Sequence, residues 1–481
     1  MILPSFIVIL SIIVTLLSTA FIRTIIIRHT AASKLQESYE IPSDIPLEDA
    51  AENLAEAVSF KTVASEKENF PPFHKFLSEH YPLVHSKLSR MYSDTDNLVF
   101  VYEGKDPSLP PALLTAHQDV VPADEGEWEH PPFEAVIDDD GYIYGRGSFD
   151  DKSSLIAILE SVEYLLKQNF VPKRTWYIAF GCDEETRGSD GASLIASRFE
   201  EDGIRFGFLL DEGGVVAKGF IGQIKAPIAV VGVCEKGNAH VSMEVSLIGG
   251  HSSTPKNPTS MGILAKAVSQ IEHHPQSPRL IAPVKQMLHH LGLHAPFSFA
   301  YIVLNSWLFA PIIISIFKKN PTMNALIRST TTVTMVKGSE AANIIPTTSY
   351  GIMNIRMLPG EKAATVIDSI TKDLKDDRVR FTVEYESPVS TVSPIDTKGF
   401  AHLKNTISTI FPECVVSPYV MTGGSDALHY EKVCDNVYRF TPALMDNSEL
   451  DRMHNTNERF SKENLSNAIL FYTTLIRNDS F

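Results

Sequence analysis

The sequence predicts an α/β protein in which a helix-covered sheet is interrupted by a separate α+β unit. Up to about Glu235, strand-like apolar runs alternate with helix-periodic ones, the pattern of a sheet flanked by helices. The texture then changes: HVSMEVSLIGG alternates in twos like a half-buried strand, MGILAKAVSQIEHH has helical spacing, and YGIMNIRML alternates again. The third observation is chemical. His117, Asp150, Glu185, Asp211 and His454 are scattered along the chain, yet each sits where an apolar run stops, and open α/β sheets bind ligands outside the carboxyl ends of their strands.

From the N-terminus, Met1 to Ile22 carries no charge, and as a helix it reaches roughly 33 Å, enough to cross a bilayer. Residues 1–30 read as a signal anchor or a signal peptide. Ser18 and Ala20 have the small-residue spacing of a cleavage site, whereas the length and the missing basic n-region favour retention. Arg23, Arg28 and Lys34 follow, and by the positive-inside rule alone they leave the large domain in the cytosol. The sequons Asn464-Leu-Ser and Asn478-Asp-Ser point the other way, to a membrane-anchored luminal or a secreted protein.

A polar linker from about Ala31 to Pro46 leads to the first part of the main domain, residues 45–236. PALLTAHQDVVP delivers His117 from an extended run, with Asp119 two residues later on the same face. In DKSSLIAILESVEYLLKQ, Leu155, Leu159, Val162 and Leu166 recur every three or four residues, so the helix shows the sheet one apolar face and Asp150 falls at its entry. TWYIAFGCDEE ends a strand in Asp183, Glu184 and Glu185, and FGFLLDEGG ends another in Asp211 and Glu212. The α+β unit spans residues 237–387 and takes in the helix after PGEKAATVIDSITKDLK and the strand RVRFTVEYE. Residues 388–481 return to the main domain with His454.

Within the insert, the segment from Phe297 to Phe317 is uncharged and unusually apolar around a central Asn305-Ser306. It reads first as a buried helix or dimer contact. The sharper readings are a wall for a long acyl chain or a membrane-dipping patch around Trp307 and Leu308.

Composition excludes some functions. The chain has 481 residues, 44% hydrophobic and 21% charged, as in ordinary two-domain globular proteins. A formal charge of −16 without Lys/Arg runs excludes a nucleic-acid partner. Four widely spaced cysteines with no Cys-x-x-Cys pair exclude a thiolate zinc site and read as buried free thiols.

A two-metal hydrolytic site needs few ligands per ion, one bridging carboxylate and a nearby base. His117 and His454 suit terminal ligands, Glu185 and Asp211 terminal carboxylates, and Asp150 the bridge; Asp119 would orient His117, and Glu184 is left free as general base. Each motif alone has an ordinary reading as a turn, cap or solvated pair. Together, the strings HQDVVP, YGRGSFDDK, CDEETRG, LLDEGG, GGHSSTP, NIIP, NIRMLPG and TGGSDA occur in the order seen in the aminoacylase and carboxypeptidase S family of di-zinc peptidases, which the chain resembles from about residue 45 onwards. The branch it resembles most holds the secreted N-fatty-acyl-amino acid synthase/hydrolases and the vacuolar carboxypeptidase S.

The resemblance implies a zinc-peptidase catalytic domain interrupted by a lid that commonly dimerises, two Zn2+ per chain, and His117, Asp150, Glu185, Asp211 and His454 as ligands, with the choice between Asp211 and Glu212 open. It implies that Glu184 is the base, that His251 in GGHSSTP stabilises an oxyanion across a homodimer, and that Asn343, Arg356 and Gly424 hold a substrate carboxylate. The substrate so implied is an N-fatty-acyl amino acid, cleaved or formed, with short peptides as the alternative and a non-catalytic acyl-amino-acid carrier as the second.

Overall fold

The computed structural model describes residues 2–32, 38–479 and 481; Lys34 and Ser480, the third residue of one sequon, lie outside them. The main domain is built on an eight-stranded mixed sheet, in the order Ser89–Met91, Leu98–Tyr102, Trp176–Gly181, Ala112–His117, Phe208–Ala217, Val437–Met445, Ile228–Glu235, Val415–Met421. The Ala112–His117 strand runs parallel to both neighbours, and all six of its residues are buried. Helices cover both faces of such a sheet, which is why these strands read as continuous apolar runs rather than alternating ones.

The helix predicted after Asp150 spans Lys152–Lys167, but it is buried nearly all round rather than on one face. It lies between the sheet and the neighbouring helices, so its polar residues find partners inside the protein. Glu163 accepts backbone N–H groups from Leu83 and Val84 at the start of the Pro82–Lys87 helix. Lys152 donates to the Ala57 and Phe60 carbonyls at the end of the Ala50–Ser59 helix. An anion thus meets a helix N-terminus and a cation a C-terminus, the favourable sense of both dipoles.

The lid is a four-stranded antiparallel sheet ordered Thr330–Lys337, Thr348–Met357, Gly237–Ser246, Arg380–Glu386. The Ser260–His273 and Ala363–Leu374 helices pack on it around a separate core that includes Val241, Met243, Leu264 and Met353. Burial alternates along Gly237–Ser246, as the period-two pattern predicts.

The structure divides the expected 237–387 unit. The helices Ala282–His294, Phe297–Val303, Ser306–Phe317 and Pro321–Leu326 leave the lid and join the main core through Val284, Leu288, Leu291, Val303 and Phe317. The apolar segment is therefore not one straight helix: it breaks at Asn305, where its two limbs bend by 105°. The N-terminal helix, Ile2–Ala32, is long and apolar enough to cross a membrane between Ile7 and Ala31.

Two further expectations meet the structure. Asn464 is only 4% exposed, and its amide is paired with the backbone of Leu444 in both directions, so this sequon offers no accessible acceptor in the folded protein. All four cysteines are free, three of them buried.

The C-terminal residues are bolted to the sheet. Arg174, just before the Trp176–Gly181 strand, donates from Nε to both Asp479 oxygens at 2.8 Å and from Nη1 to the Pro110 carbonyl, while its guanidinium lies over the Phe481 ring. Both partners are buried. Asp479→Ala leaves a buried cation without its anion and is expected to destabilise the domain by about 3–5 kcal/mol, read as a lowered urea midpoint; an unchanged midpoint would show the pair to be dispensable.

Candidate active site

The Ala112–His117 strand ends with its imidazole in the interior. His117 Nδ1 donates to the backbone carbonyl of Asp119 at 2.9 Å, which fixes the tautomer and turns Nε2, with its lone pair, toward the centre of the site. The Asp119 carboxylate also stands beside this ring, its Oδ1 3.5 Å from His117 Nδ1, and it has a further task. Its two oxygens accept the backbone N–H groups of Glu184 and Glu185, at 3.0 and 3.1 Å, and so hold the turn that follows the neighbouring strand.

Asp150 lies between two imidazoles. Its Oδ1 is 3.0 Å from His117 Nε2 and its Oδ2 is 2.8 Å from His454 Nε2. Beside His117 stands Glu212, with Oε1 at 3.4 Å from Nε2; beside His454 stands Glu185, with Oε1 at 3.1 Å. The site thus resolves into two half-sites, each of one histidine and one glutamate, that share Asp150. Glu184 Oε also reaches the His117 and Glu212 group.

Asp211 does not enter this cluster. Adjacent strand residues point to opposite faces, and with Glu212 facing His117, Asp211 Oδ2 accepts the Ala427 backbone N–H at 2.7 Å instead. Burial raises its pKa to about 6. The expectation that Asp211 is a ligand is therefore replaced by Glu212, and Asp211 becomes a clamp on the TGGSDA loop together with Glu235, whose Oε2 accepts the Ser425 N–H.

Two buried supports were not singled out from the sequence. Glu458 accepts the backbone N–H groups of Gly147, Phe149 and Asp150 through one oxygen and the Arg146 guanidinium through the other. It thereby fixes the loop that presents Asp150. Asp426 lies fully buried near Glu184 and Asp211, and burial together with these two carboxylates raises its pKa. Asp426 is the aspartate of the TGGSDA string, and the only sequence trace of Glu458 is its position four residues after His454.

The electrostatics call for cations. Burial lowers the His117 pKa, yet Glu212, Asp119 and Asp150 more than reverse that and leave it well raised. Burial, followed by Glu212, Glu185 and Asp150, pushes Glu184 well above the usual carboxylate range. Like charges packed this closely cannot all remain ionised without a counter-charge, and imidazole nitrogen with carboxylate oxygen is a donor set that fits zinc and its first-row neighbours.

Asp150, Glu184, Glu185, Glu212 and His454 line a cavity of about 910 Å³. Arg356, from the Thr348–Met357 lid strand, and Gly424 line the same cavity. The Arg187 guanidinium lies over the Tyr385 ring at 4.1 Å and ties the glutamate-bearing loop to the lid. His251 and Asn343 are elsewhere: both are exposed, on and beside the paired strands Gly250–His251 and Ile344–Ile345, and neither lines the cavity. His251 Nδ1 instead bonds Ser253 Oγ.

Peptidase family M20/M25/M40 matches residues 113–478, and the chain belongs to this family. It is 38% identical over 457 residues to the probable carboxypeptidase S-like 2 of Dictyostelium discoideum, covering 92% of this chain and 86% of that one. It is 35% identical over 462 residues to the N-fatty-acyl-amino acid synthase/hydrolase of Homo sapiens, covering 94% and 91%. Among solved structures, an M20 metallo-carboxypeptidase from Sulfolobus solfataricus superimposes with a TM-score of 0.63 at 17% identity, over 89% of this chain and 98% of that one. The protein is accordingly a metal-dependent hydrolase of amide bonds.

Glu458 touches no substrate group, so its replacement tests the scaffold alone. Glu458→Gln keeps the shape but replaces one acceptor oxygen by a donor NH2, which must face either the amides of the Asp150 loop or the Arg146 guanidinium. Zinc affinity is expected to fall about 10- to 100-fold, measured by competition with a chelator, with the circular dichroism spectrum unchanged; unaltered affinity would remove Glu458 from the metal centre's support.

Proposed function

We propose that this enzyme hydrolyses, and in reverse forms, the amide bond of N-acyl amino acids that carry a free α-carboxylate, with long acyl chains among its substrates. The observation that carries this reading is the joining of three features in one cavity: the two half-sites around Asp150, the Arg356 guanidinium, and an apolar wall that includes Phe220, Met323, Tyr419 and Met421. A guanidinium offers a carboxylate two parallel charge-assisted hydrogen bonds. The apolar wall suits an acyl chain at the other end of the scissile amide.

In this reading His117, Asp150 and Glu212 would hold one divalent cation and His454, Asp150 and Glu185 a second, and zinc there would supply Lewis-acid polarisation of a carbonyl and an acidified water. Glu184, raised in pKa by its buried anionic surroundings, takes the water's proton and returns it to the leaving amine. Asp119 acts through the backbone, keeping Glu184 and Glu185 in register. Arg356 and Gly424 orient the carboxylate. Because His251 and Asn343 lie outside their own chain's cavity, a partner copy docked through the lid supplies them, His251 as an oxyanion donor. The proposed setting is a luminal or extracellular one.

Hydrolysis of short peptides is the second reading, favoured by the relatives that bear the carboxypeptidase S name. Cleavage of oleoyl-phenylalanine against glycyl-leucine separates the two: a clear preference for the dipeptide sinks the acyl reading. Glu184→Gln is expected to lower kcat by about 10²- to 10⁴-fold, the range of general-base contributions, while the metal content per chain stays at the wild-type value. Undiminished turnover would exclude Glu184 as the base.

A further inference from the structure

The broken helix pair docks on the N-terminal helix by contacts that make sense in an apolar medium. Asn305, at the break, is fully buried, and its amide nitrogen reaches the Ala20 carbonyl at 3.1 Å and Thr24 Oγ1 at 2.8 Å. Tyr301 donates its hydroxyl to the Leu17 carbonyl, and Phe21 packs edge-on against Phe297 at 5.3 Å. Polar side chains bonded between helices are a means of association where burial of apolar surface supplies no driving force.

Both the N-terminal helix and the second limb leave apolar side chains uncovered. Phe21 and Ile22 are exposed on the N-terminal helix, and Trp307, Ile312 and Ile316 on the second limb, where they are 51%, 48% and 56% exposed. No charged residue occurs between Phe297 and Phe317. The limbs, of 7 and 12 residues, extend only about 10 and 18 Å along their axes, too short to cross a hydrocarbon core of about 30 Å.

Depth can be read from the neighbouring charges. Arg23 is the first charged residue after the uncharged run of the N-terminal helix and marks the headgroup level. The deepest contact, at Leu17, lies six residues before it, about 9 Å along the axis, the depth at which interfacial helices lodge. At the other end of the wedge, Lys318 and Lys319 are exposed immediately after Phe317, and the next turn brings Asn320, Thr322 and Met323 into the wall of the catalytic cavity.

We infer that residues 297–317 form a half-membrane wedge that, docked on the N-terminal anchor, seats the enzyme on a lipid bilayer with its cavity wall at headgroup level. Lys318 and Lys319 meet the headgroups, their stems lying along the apolar surface. Amphiphilic substrates then enter laterally from the leaflet, a consequence that rests on the acyl-amino-acid reading; the docking itself does not.

The test uses the full chain in vesicles of phosphatidylcholine brominated on the acyl chains. The three tryptophans include Trp176, fully buried in the sheet, and Trp307 on the wedge. Bromolipid is expected to quench a large share of the emission, and Trp307→Phe is expected to abolish most of that quenching. Quenching that survives Trp307→Phe, or none while the protein still floats with the vesicles, overturns the wedge; the latter with a cross-linkable dimer assigns the face to a second copy instead. A paired variant, Ile312→Asp with Ile316→Asp, is expected to raise KM for a vesicle-borne acyl substrate while sparing kcat/KM for a soluble short-chain one. Equal loss on both would show that these residues only stabilise the fold.

Discussion

The crowding of four carboxylates around two imidazoles is the constraint on which the catalytic domain depends. Left to themselves these carboxylates, Asp150, Glu184, Glu185 and Glu212, repel one another, and burial beside the others raises the pKa of Glu184 and Glu212. The fold holds their loops in place chiefly through backbone amides, with the Arg146 guanidinium beside Glu458. Asp119 accepts two N–H groups from the Glu184 turn, Glu458 accepts three from the Asp150 loop, and Asp211 accepts one from the loop after Gly424. Each support is itself an acid, so the centre is an anionic shell within an anionic shell. Such an arrangement is stable when cations occupy its middle, which couples metal uptake to folding.

Much of this was legible in the sequence because strand ends deliver their side chains to a predictable edge. The apolar runs before His117, Glu184 and Glu185 are strands that end at one rim of the sheet, and the helix after Asp150 begins beside it. Asp211 and Glu212 were the pair that such reasoning leaves open: a strand shows one of two adjacent residues to a given face, and which one depends on register with its neighbours, a three-dimensional fact. Glu458 was illegible for a related reason. It is more than 300 positions from the amides it binds, and no local pattern announces a buried carboxylate whose partners are backbone groups.

The lid shows the same division. Its strands and helices followed from alternating and helical periodicities, whereas the segment between Ala282 and Leu326 did not, because apolar content alone does not say which core a helix joins. Arg356 and Gly424 come to the cavity from different parts of the chain. His251 and Asn343 sit together, with Ser252 donating to the Asn343 carbonyl, at a distance from the chemistry of their own chain. Motif order can bring all four residues to attention, but it carries no information on which of them share a cavity.

The order of strands in the main sheet has a consequence for a shortened chain. Val437–Met445 is inserted between Phe208–Ala217 and Ile228–Glu235, which are nearly consecutive in the chain. Those two strands pair directly only at one corner, Val216 with Ala229 and Ala217 with Ile228, so without Val437–Met445 the sheet has a gap beyond that corner, and Glu212 stands on its rim. His454 and Glu458 follow the missing strand within twenty residues. A chain lacking everything after Ile228–Glu235 therefore lacks, in one stroke, the strand that fills the middle of the sheet, His454 beside Asp150 and the Glu458 support of the Asp150 loop, and leaves unpaired strand edges exposed.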